Sequence, residues 1–253
     1  MSFRLLDPPD ALRPLFECCW EIKDEAPSRE PQRILPDGRA EIIVHLAEPF
    51  EDFREGQWRT QSRCNFAGQL TGAMKIRPTG PVHTIGFRFH PHTAGLLVRE
   101  AQALAGQVIP LTEIDRGLSS LEGLTRRTAA TSTDKRVAAA TRHSLQRSGN
   151  VTVSELARLA GLDVRQFERR FTRAVGIPPK FFCRVQRLQR VIAAMEQPGN
   201  AWVDAALSCG YYDQSHLVKD FRELAGDPPS LLLRQDSDLA RHFLDRGQSL
   251  CRG

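Results

Sequence analysis

Residues 155–179 recur about fifty positions later in the same chain. Ala157 and Gly161 return as Ala206 and Gly210, at an offset of 49. Past one inserted residue the offset is 50: Phe167 pairs with Leu217, Phe171 with Phe221, Gly176 with Gly226, Pro178 with Pro228 and Pro179 with Pro229. Pairs in phase on either side of a single gap describe two copies of one small supersecondary unit, each too small to bury a core alone.

The spacing says what the unit is. Val153, Leu156, Ala157 and Ala160 fall at i, i+3, i+4 and i+7, the stripe of a short amphipathic helix. Gly161 stands where a helix commonly ends in a left-handed residue, and the Asp163 side chain is placed to cap a second helix. Phe167, Phe171 and Ala174 line one face of that helix, which Gly176 and the Pro178–Pro179 pair end. Helix, short turn with glycine, helix is the helix-turn-helix pattern. In the second copy Trp202, Ala205, Ala206 and Cys209 form the expected inward stripe. Gly210-Tyr211-Tyr212 makes the turn, Asp213 caps, and Leu217, Phe221 and Leu224 pack inward. Between the copies, 180–196 is helical by period, with Phe181, Val185, Leu188 and Ile192 on one side. At ~1.5 Å per residue this connector is about 25 Å long. Such a spacer suits two probes held about one DNA turn (~34 Å) apart.

Charge is unevenly spread. Residues 1–120 hold 14 Lys+Arg against 16 Asp+Glu, and residues 121–253 hold 21 against 14, so the basic excess lies with the repeat. That asymmetry suits a C-terminal half that binds a polyanion. Over 253 residues, 41% hydrophobic and 26% charged, the expectation is a soluble two-domain protein. No apolar run is long enough for a membrane span, and no signal-peptide core opens the chain. The six cysteines form no CxxC pair, so they are expected as reduced thiols in a cytoplasmic protein.

The stretch GYYDQSHLVKDFRELAGDPPS resembles the signature of AraC/XylS-type transcription regulators, and VTVSELARLAGLDVRQFERRFTRAVGIPPKFFCRVQRLQRV resembles the upstream half of the same unit. The resemblance covers about 135–235. It implies a bacterial regulator with two helix-turn-helix subdomains (151–177 and 201–227) joined by helix 180–196 within a DNA-binding domain at 134–235. It also implies a sensor or dimerisation domain elsewhere, here 1–115, with a helical linker at 116–133 and a tail at 236–253. LPDGRAEIIVHL and GFRFHPHTAGLL are similar to a sensor-type domain found ahead of such units. The partners implied are double-stranded DNA, with RNA polymerase, a small-molecule effector and a second copy of the chain as further candidates.

Candidate DNA-contacting residues follow from the helical faces and that correspondence. On the first recognition helix they are Arg165, Gln166, Glu168, Arg169 and Arg173; on the second, Gln214, Ser215, Val218 and Lys219. Arginine pairs with guanine O6 and N7, glutamine with adenine, a carboxylate with cytosine N4, and valine with a thymine methyl. Glu168 is expected either to read a base or to orient Arg165 or Arg169. Residues 163–190 carry eight basic side chains, among them Arg170, Lys180, Arg184, Arg187 and Arg190, a density that suits phosphate contacts. Arg170 and Arg187 are alternatively expected in structural ion pairs. Residues 201–229 carry a net charge of −3, so the second copy is expected to contribute less affinity than the first.

The N-terminal half is expected as a small antiparallel β barrel or sandwich with helices outside, giving an α+β chain that ends in an all-α domain. Strands are expected near 33–35, 40–46, 64–70, 73–77 and 82–89, with a hairpin or loop over 48–62. Helices are expected near 93–104, 118–129 and 134–147. His45, His83 and Arg88 are conceivable polar anchors of an internal ligand site. His90-x-His92 lacks the nearby acid of a cupin-type metal site, and no phosphate-cradling loop, nucleophile elbow or HExxH occurs. Neither metal, cofactor nor enzymatic activity is therefore expected. Two other classes of DNA-binding protein share part of this pattern. A DNA-alkylation repair protein needs an activated cysteine with cysteine ligands to zinc, a spacing that Cys18, Cys19 and Cys64 do not supply. A nonspecific architectural DNA binder would ignore sequence.

Overall fold

A computed structural model describes residues 1–98, 101–130, 132–195 and 202–232. Strands come first: β1 (Ser2–Leu6), β2 (Phe16–Asp24), β3 (Gln32–Ile34), β4 (Glu41–His45), β5 (Phe50–Arg54), β6 (Gln57–Thr60), β7 (Cys64–Ala67), β8 (Met74–Pro78) and β9 (Val82–Phe89). The short helix α1 (Ala94–Leu97), β10 (Val108–Pro110), α2 (Leu111–Ile114) and α3 (Leu121–Ala129) follow. The rest is helical: α4 (Lys135–Gln146), α5 (Val153–Leu159), α6 (Val164–Val175), α7 (Pro179–Met195), α8 (Trp202–Ser208), α9 (Gln214–Ala225) and α10 (Pro229–Leu232).

The strands form two antiparallel sheets, ordered β1-β2-β9-β4-β7-β10 and β3-β8-β5-β6. They do not close into a barrel, so of the two architectures expected the layered one stands. Alternation along the strands gives the six-stranded sheet two covered faces. One face (Phe16, Ile42, Phe66, Phe89) packs against Leu97, Leu111 and Leu124 of the helices beside it. The other (Trp20, Ile22, Ile43) packs against Phe50 and Ile76 of the four-stranded sheet. Gly86 lies opposite Trp20 across the β2–β9 pair, and a Cβ there would stand 2.0 Å from the indole, so only glycine accommodates the ring.

Several elements differ from expectation. β1 and β2 were not foreseen; the Cys18-Cys19-Trp20 run has no period of two, because β2 lies inside the sheet and is covered on both faces. Both adjacent thiols are consequently buried, where desolvation pushes Cys18 up to about 12 and Cys19 to about 11. The helix expected over 93–104 is a single turn, α1, held by the Thr93 hydroxyl donating to the Leu15 carbonyl at 2.6 Å. The hairpin at 48–62 is the β5–β6 pair. The tail at 236–253, and the side chains of Trp202 and Ala205 in the expected inward stripe, lie outside the described residues.

The segment between β3 and β4, residues 35–40, is a strap that binds the two halves together. The Pro36 carbonyl accepts from Gln189 Nε2 (2.7 Å) and the Asp37 carbonyl from Gln186 Nε2 (3.1 Å), both on α7. Leu35 enters the core made by α7, α8 and α9. On the strap's upstream flank Arg33 donates to the Ala225 carbonyl at the end of α9 and pairs with Asp227 at 2.6 Å. The helix expected at 180–196, apolar on one side, is instead buried around most of its girth (Phe182, Val185, Gln186, Leu188, Val191), because both helix-turn-helix cores and the strap pack on it.

Candidate nucleic-acid interface

Local sequence builds each probe. In the first, Thr152 and Glu155 form a reciprocal capping box on α5. Gly161 turns the chain at φ 63°, and the Asp163 carboxylate accepts from the Gln166 amide at 2.8 Å to start α6. Phe167, Phe171 and Val175 face inward with essentially no exposure, meeting Leu156, Ala157 and Phe182. In the second, Gly210 turns at φ 82° and Asp213 caps α9 through the His216 amide at 2.7 Å. Leu217, Phe221 and Leu224 fill the core with Val185 and Leu188 of α7. Each aspartate cap contributes about 1 kcal/mol.

With the inward faces fixed, the outward ones are fixed too. Arg165, Gln166, Glu168, Arg169 and Arg173 are all exposed on α6. Gln214, Ser215 and Lys219 are exposed on α9, Val218 is half-buried beside them, and the four share one open groove with Arg222 and Glu223. Among the described residues no ion pair or side-chain hydrogen bond engages Arg165, Glu168, Arg169 or Arg173. Glu168 therefore does not orient its arginine neighbours in this structure, and its carboxylate faces outward.

The rest of the basic density divides. Lys180 and Arg190 are exposed. Arg170 pairs with Asp134 at the start of α4 (3.1 Å), and Arg187 donates to the Gly149 carbonyl and lies over the Tyr211 ring. Arg184 also turns inward, which was not expected of a phosphate contact. It donates to Asp220 Oδ1 (2.8 and 3.1 Å) and to both oxygens of Glu223 (3.0 and 2.7 Å), and Tyr211 Oη donates to Asp220 Oδ2 (3.3 Å). Burial, helped by the Asp220 charge, pushes the Tyr211 phenol well above its ordinary value, and the Arg184 hydrogen bonds hold Glu223 below its own.

These pairs change the meaning of the −3 counted over the second copy. Asp213 is a cap, Asp220 and Glu223 hold Arg184, and Asp227 holds Arg33. Four of the five acidic groups are thus spent inside the fold. The face that α9 turns outward is near neutral rather than acidic.

Of the polar residues considered in the N-terminal half, His45 and Arg88 line a cavity between the two sheets. His83 does not: it pairs with Glu21 at 2.9 Å, on a carboxylate shared with Arg4 and Lys23. His90 and His92 stack with centroids 5.8 Å apart, and no group of three or more His, Cys, Asp or Glu among the described residues is placed to hold a metal ion.

Two domain models match parts of the chain. Residues 156–235 match a helix-turn-helix domain, and residues 4–110 match a domain of unknown function (DUF6597). No curated protein matches the chain significantly. Similar solved structures include ToxT from Vibrio cholerae (8% identity, 92% of this chain and 98% of that one, TM-score 0.45). Others are ToxT of strain SCE256 with bound unsaturated fatty acid (9%, 92% and 95%, TM-score 0.44) and ToxT of strain O395 bound to (E)-4-(8-methylnaphthalen-1-yl)but-3-enoic acid (8%, 92% and 99%, TM-score 0.44). The C-terminal part of the chain thus contains a helix-turn-helix domain. A helix-turn-helix domain implies DNA binding, and no described helix is long and apolar enough to cross a membrane.

Proposed function

We propose that the chain reads a specific operator with its two recognition helices and that a small effector held in the N-terminal half sets how well it does so. The observation that carries this is the paired outward surface: five exposed side chains on α6 and a neutral set on α9, on helices whose opposite faces are buried. Arg165 and Arg169 are assigned to guanine, Glu168 to cytosine, Gln214 to adenine and Val218 to a thymine methyl. Arg173, Lys219, Ser215 and Gln166 are assigned to phosphates and flanking base edges. Effector control is supported by the cavity between the sheets and by the strap that joins its wall to α7 and α9. RNA polymerase and a second copy of the chain belong to the same reading, on the strength of the family resemblance, and so does the absence of catalysis.

Recovery of genomic fragments bound by the full chain, followed by footprinting at ~0.15 M salt, tests it. Two protected major-groove segments about one helical turn apart are expected. Equal affinity for operator-derived and random duplexes would leave a nonspecific architectural binder.

A further inference from the structure

Between the sheets lies a cavity of about 90 Å³. Its walls are apolar for most of their extent (Ile22, Ile43, Phe50, Met74 and Ile76 among them), with polar groups gathered at two ends.

At the first end both ring nitrogens of His45 are matched. His45 bonds to Thr84 Oγ1 through Nδ1 and to Gln61 Oε1 through Nε2, each at 3.0 Å, and Gln61 Nε2 donates to Asp52 (3.0 Å). Gln61 thereby presents an acceptor to His45, which sets the imidazole as the Nε2–H tautomer with Nδ1 accepting from the Thr84 hydroxyl. Burial lowers the pKa of this ring, in keeping with a neutral imidazole.

The second end is a buried charge network with one acceptor left over. Arg39 donates to both oxygens of Glu17 (2.9 and 3.3 Å). Arg88 pairs with Asp37 (3.0 Å) and donates to Glu41 Oε1 (2.8 Å), and Trp20 Nε1 donates to that same oxygen at 3.1 Å. Glu41 lines the cavity, and among the described residues its hydrogen bonds all fall on Oε1 and none on Oε2. The two guanidiniums of Arg39 and Arg88 meet the three carboxylates of Glu17, Asp37 and Glu41, so the cluster carries one negative charge in excess. An anionic head group would meet that charge with no cation to spare. A donor head group would meet an oxygen that wants one.

We propose that this cavity binds a small molecule with an apolar body and a hydrogen-bond-donating head, an amine or an alcohol and not a carboxylic acid, seated with its head on Glu41. A cavity of ~150 Å³ holds a benzene ring, so this one takes about four heavy atoms. The strap makes the site a control point. Leu35 lines the cavity and also enters the core of the second helix-turn-helix unit. Asp37 holds Arg88 with its carboxylate and receives Gln186 of α7 on its carbonyl. A ligand that shifts Arg88 or Leu35 moves the residues on which α7 and α9 rest. This second step rests on the function proposed above; binding itself does not.

The test is calorimetry and ligand-observed NMR on the full chain without DNA, using n-propylamine, 1-propanol and propionate. Propylamine and propanol are expected to bind, with dissociation constants no tighter than tens of micromolar for ligands of this size, and propionate at least tenfold more weakly. Glu41→Gln should weaken propylamine at least tenfold while leaving circular dichroism unchanged. Ala67→Leu, which adds bulk to the cavity wall beside Glu41 without altering any charge, should abolish binding of all three. Propionate binding as tightly as propylamine, no binding by any probe at 10 mM (a concentration ~100-fold above that limit), or an indifferent Glu41→Gln would each overturn the proposal. Propylamine binding by a sample that ignores every duplex would keep the site and remove the regulator.

Discussion

Arg184→Ala separates a structural cation from a DNA contact within one side chain. Arg184 is 18% exposed and gives two hydrogen bonds to Asp220, a carboxylate 3% exposed, and two to Glu223, which is 47% exposed. The Glu223 bonds, half in water, contribute about 0.5 kcal/mol. Asp220 is the larger matter, since without Arg184 it keeps only the Tyr211 hydroxyl at 3.3 Å. Stranding one partner of a buried pair costs about 3–5 kcal/mol, and the partial exposure of Arg184 places this case near 3 kcal/mol. Urea unfolding of wild type and Arg184→Ala at neutral pH measures it. Adding Asp220→Asn to the alanine variant should return about half of the loss, because the stranded group is then neutral. The slope of log K against log salt for operator binding should stay as in wild type, whereas loss of a phosphate contact lowers it by about 0.9. A loss below ~1 kcal/mol together with a shallower salt slope would refute the internal clamp and restore Arg184 to the DNA face.

Other consequences are open to direct measurement. Arg169→Ala should weaken operator binding by about 1–3 kcal/mol and Lys219→Ala by less at the same salt; the reverse order would contradict the assigned asymmetry. His92 is held down to about 4, chiefly by burial and then by the nearby His90 and Arg142, with Glu17 opposing. Its unfolded form takes up a proton first as pH falls, so its contribution to stability is intact above ~6.5 and is lost progressively down to ~4, by roughly 2 kcal/mol allowing for its partial exposure. His92→Phe should flatten that limb of the stability–pH curve, and an unchanged limb would exclude His92 as its source. A Cβ at Gly95 would lie 2.2 Å from the Arg173 carbonyl on α6. Gly95→Ala should therefore force α1 off the recognition helix and cost about 1–3 kcal/mol in thermal unfolding; a neutral result would mean that α1 does not press on α6. Gln186→Ala with Gln189→Ala should split one unfolding transition into two by freeing the strap, and a single transition would show that Leu35 and Arg33 hold the halves together without them.

The helical half was legible because each of its features is local. Caps, turn glycines and the i, i+4 apolar pairs lie within a few residues of one another, and the repeat displays them twice. The faces that Phe167 and Leu217 turn inward settle which side chains point out, so the candidate DNA residues needed no tertiary information. What escaped depends on partners distant in sequence. Arg184 finds Asp220 and Glu223, separations of 36 and 39, and no pattern in KFFCRVQR distinguishes it from a phosphate contact. β2 escaped for a related reason: a strand covered on both faces loses the alternation by which strands are recognised. The cavity is assembled from β2, β3, β4, β5, β7, β8 and β9, and its ends depend on register. The pattern AEIIVHL separated Ile43 and His45 from Ile42 and Val44, but only the β4–β9 pairing shows which set faces the second sheet.

The placement of contacts between the halves constrains what control can mean here. The strap grips α7 and the end of α9, and α1 meets the C-terminal end of α6, yet the side chains assigned to DNA are exposed, apart from the half-buried Val218. The described residues of the N-terminal half do not mask the recognition surface in this state. It holds the frame on which the two probes are mounted. Two helices that must enter neighbouring grooves tolerate little change in spacing or tilt, and misplacing one sacrifices its share of 1–3 kcal/mol per good base contact without hiding a single side chain. Control by geometry predicts that a strap variant, Leu35→Ala, changes affinity for the intact operator far more than for a half-site bound by α6 alone. Equal losses on both duplexes would point to general destabilisation of the chain and would remove the mechanism.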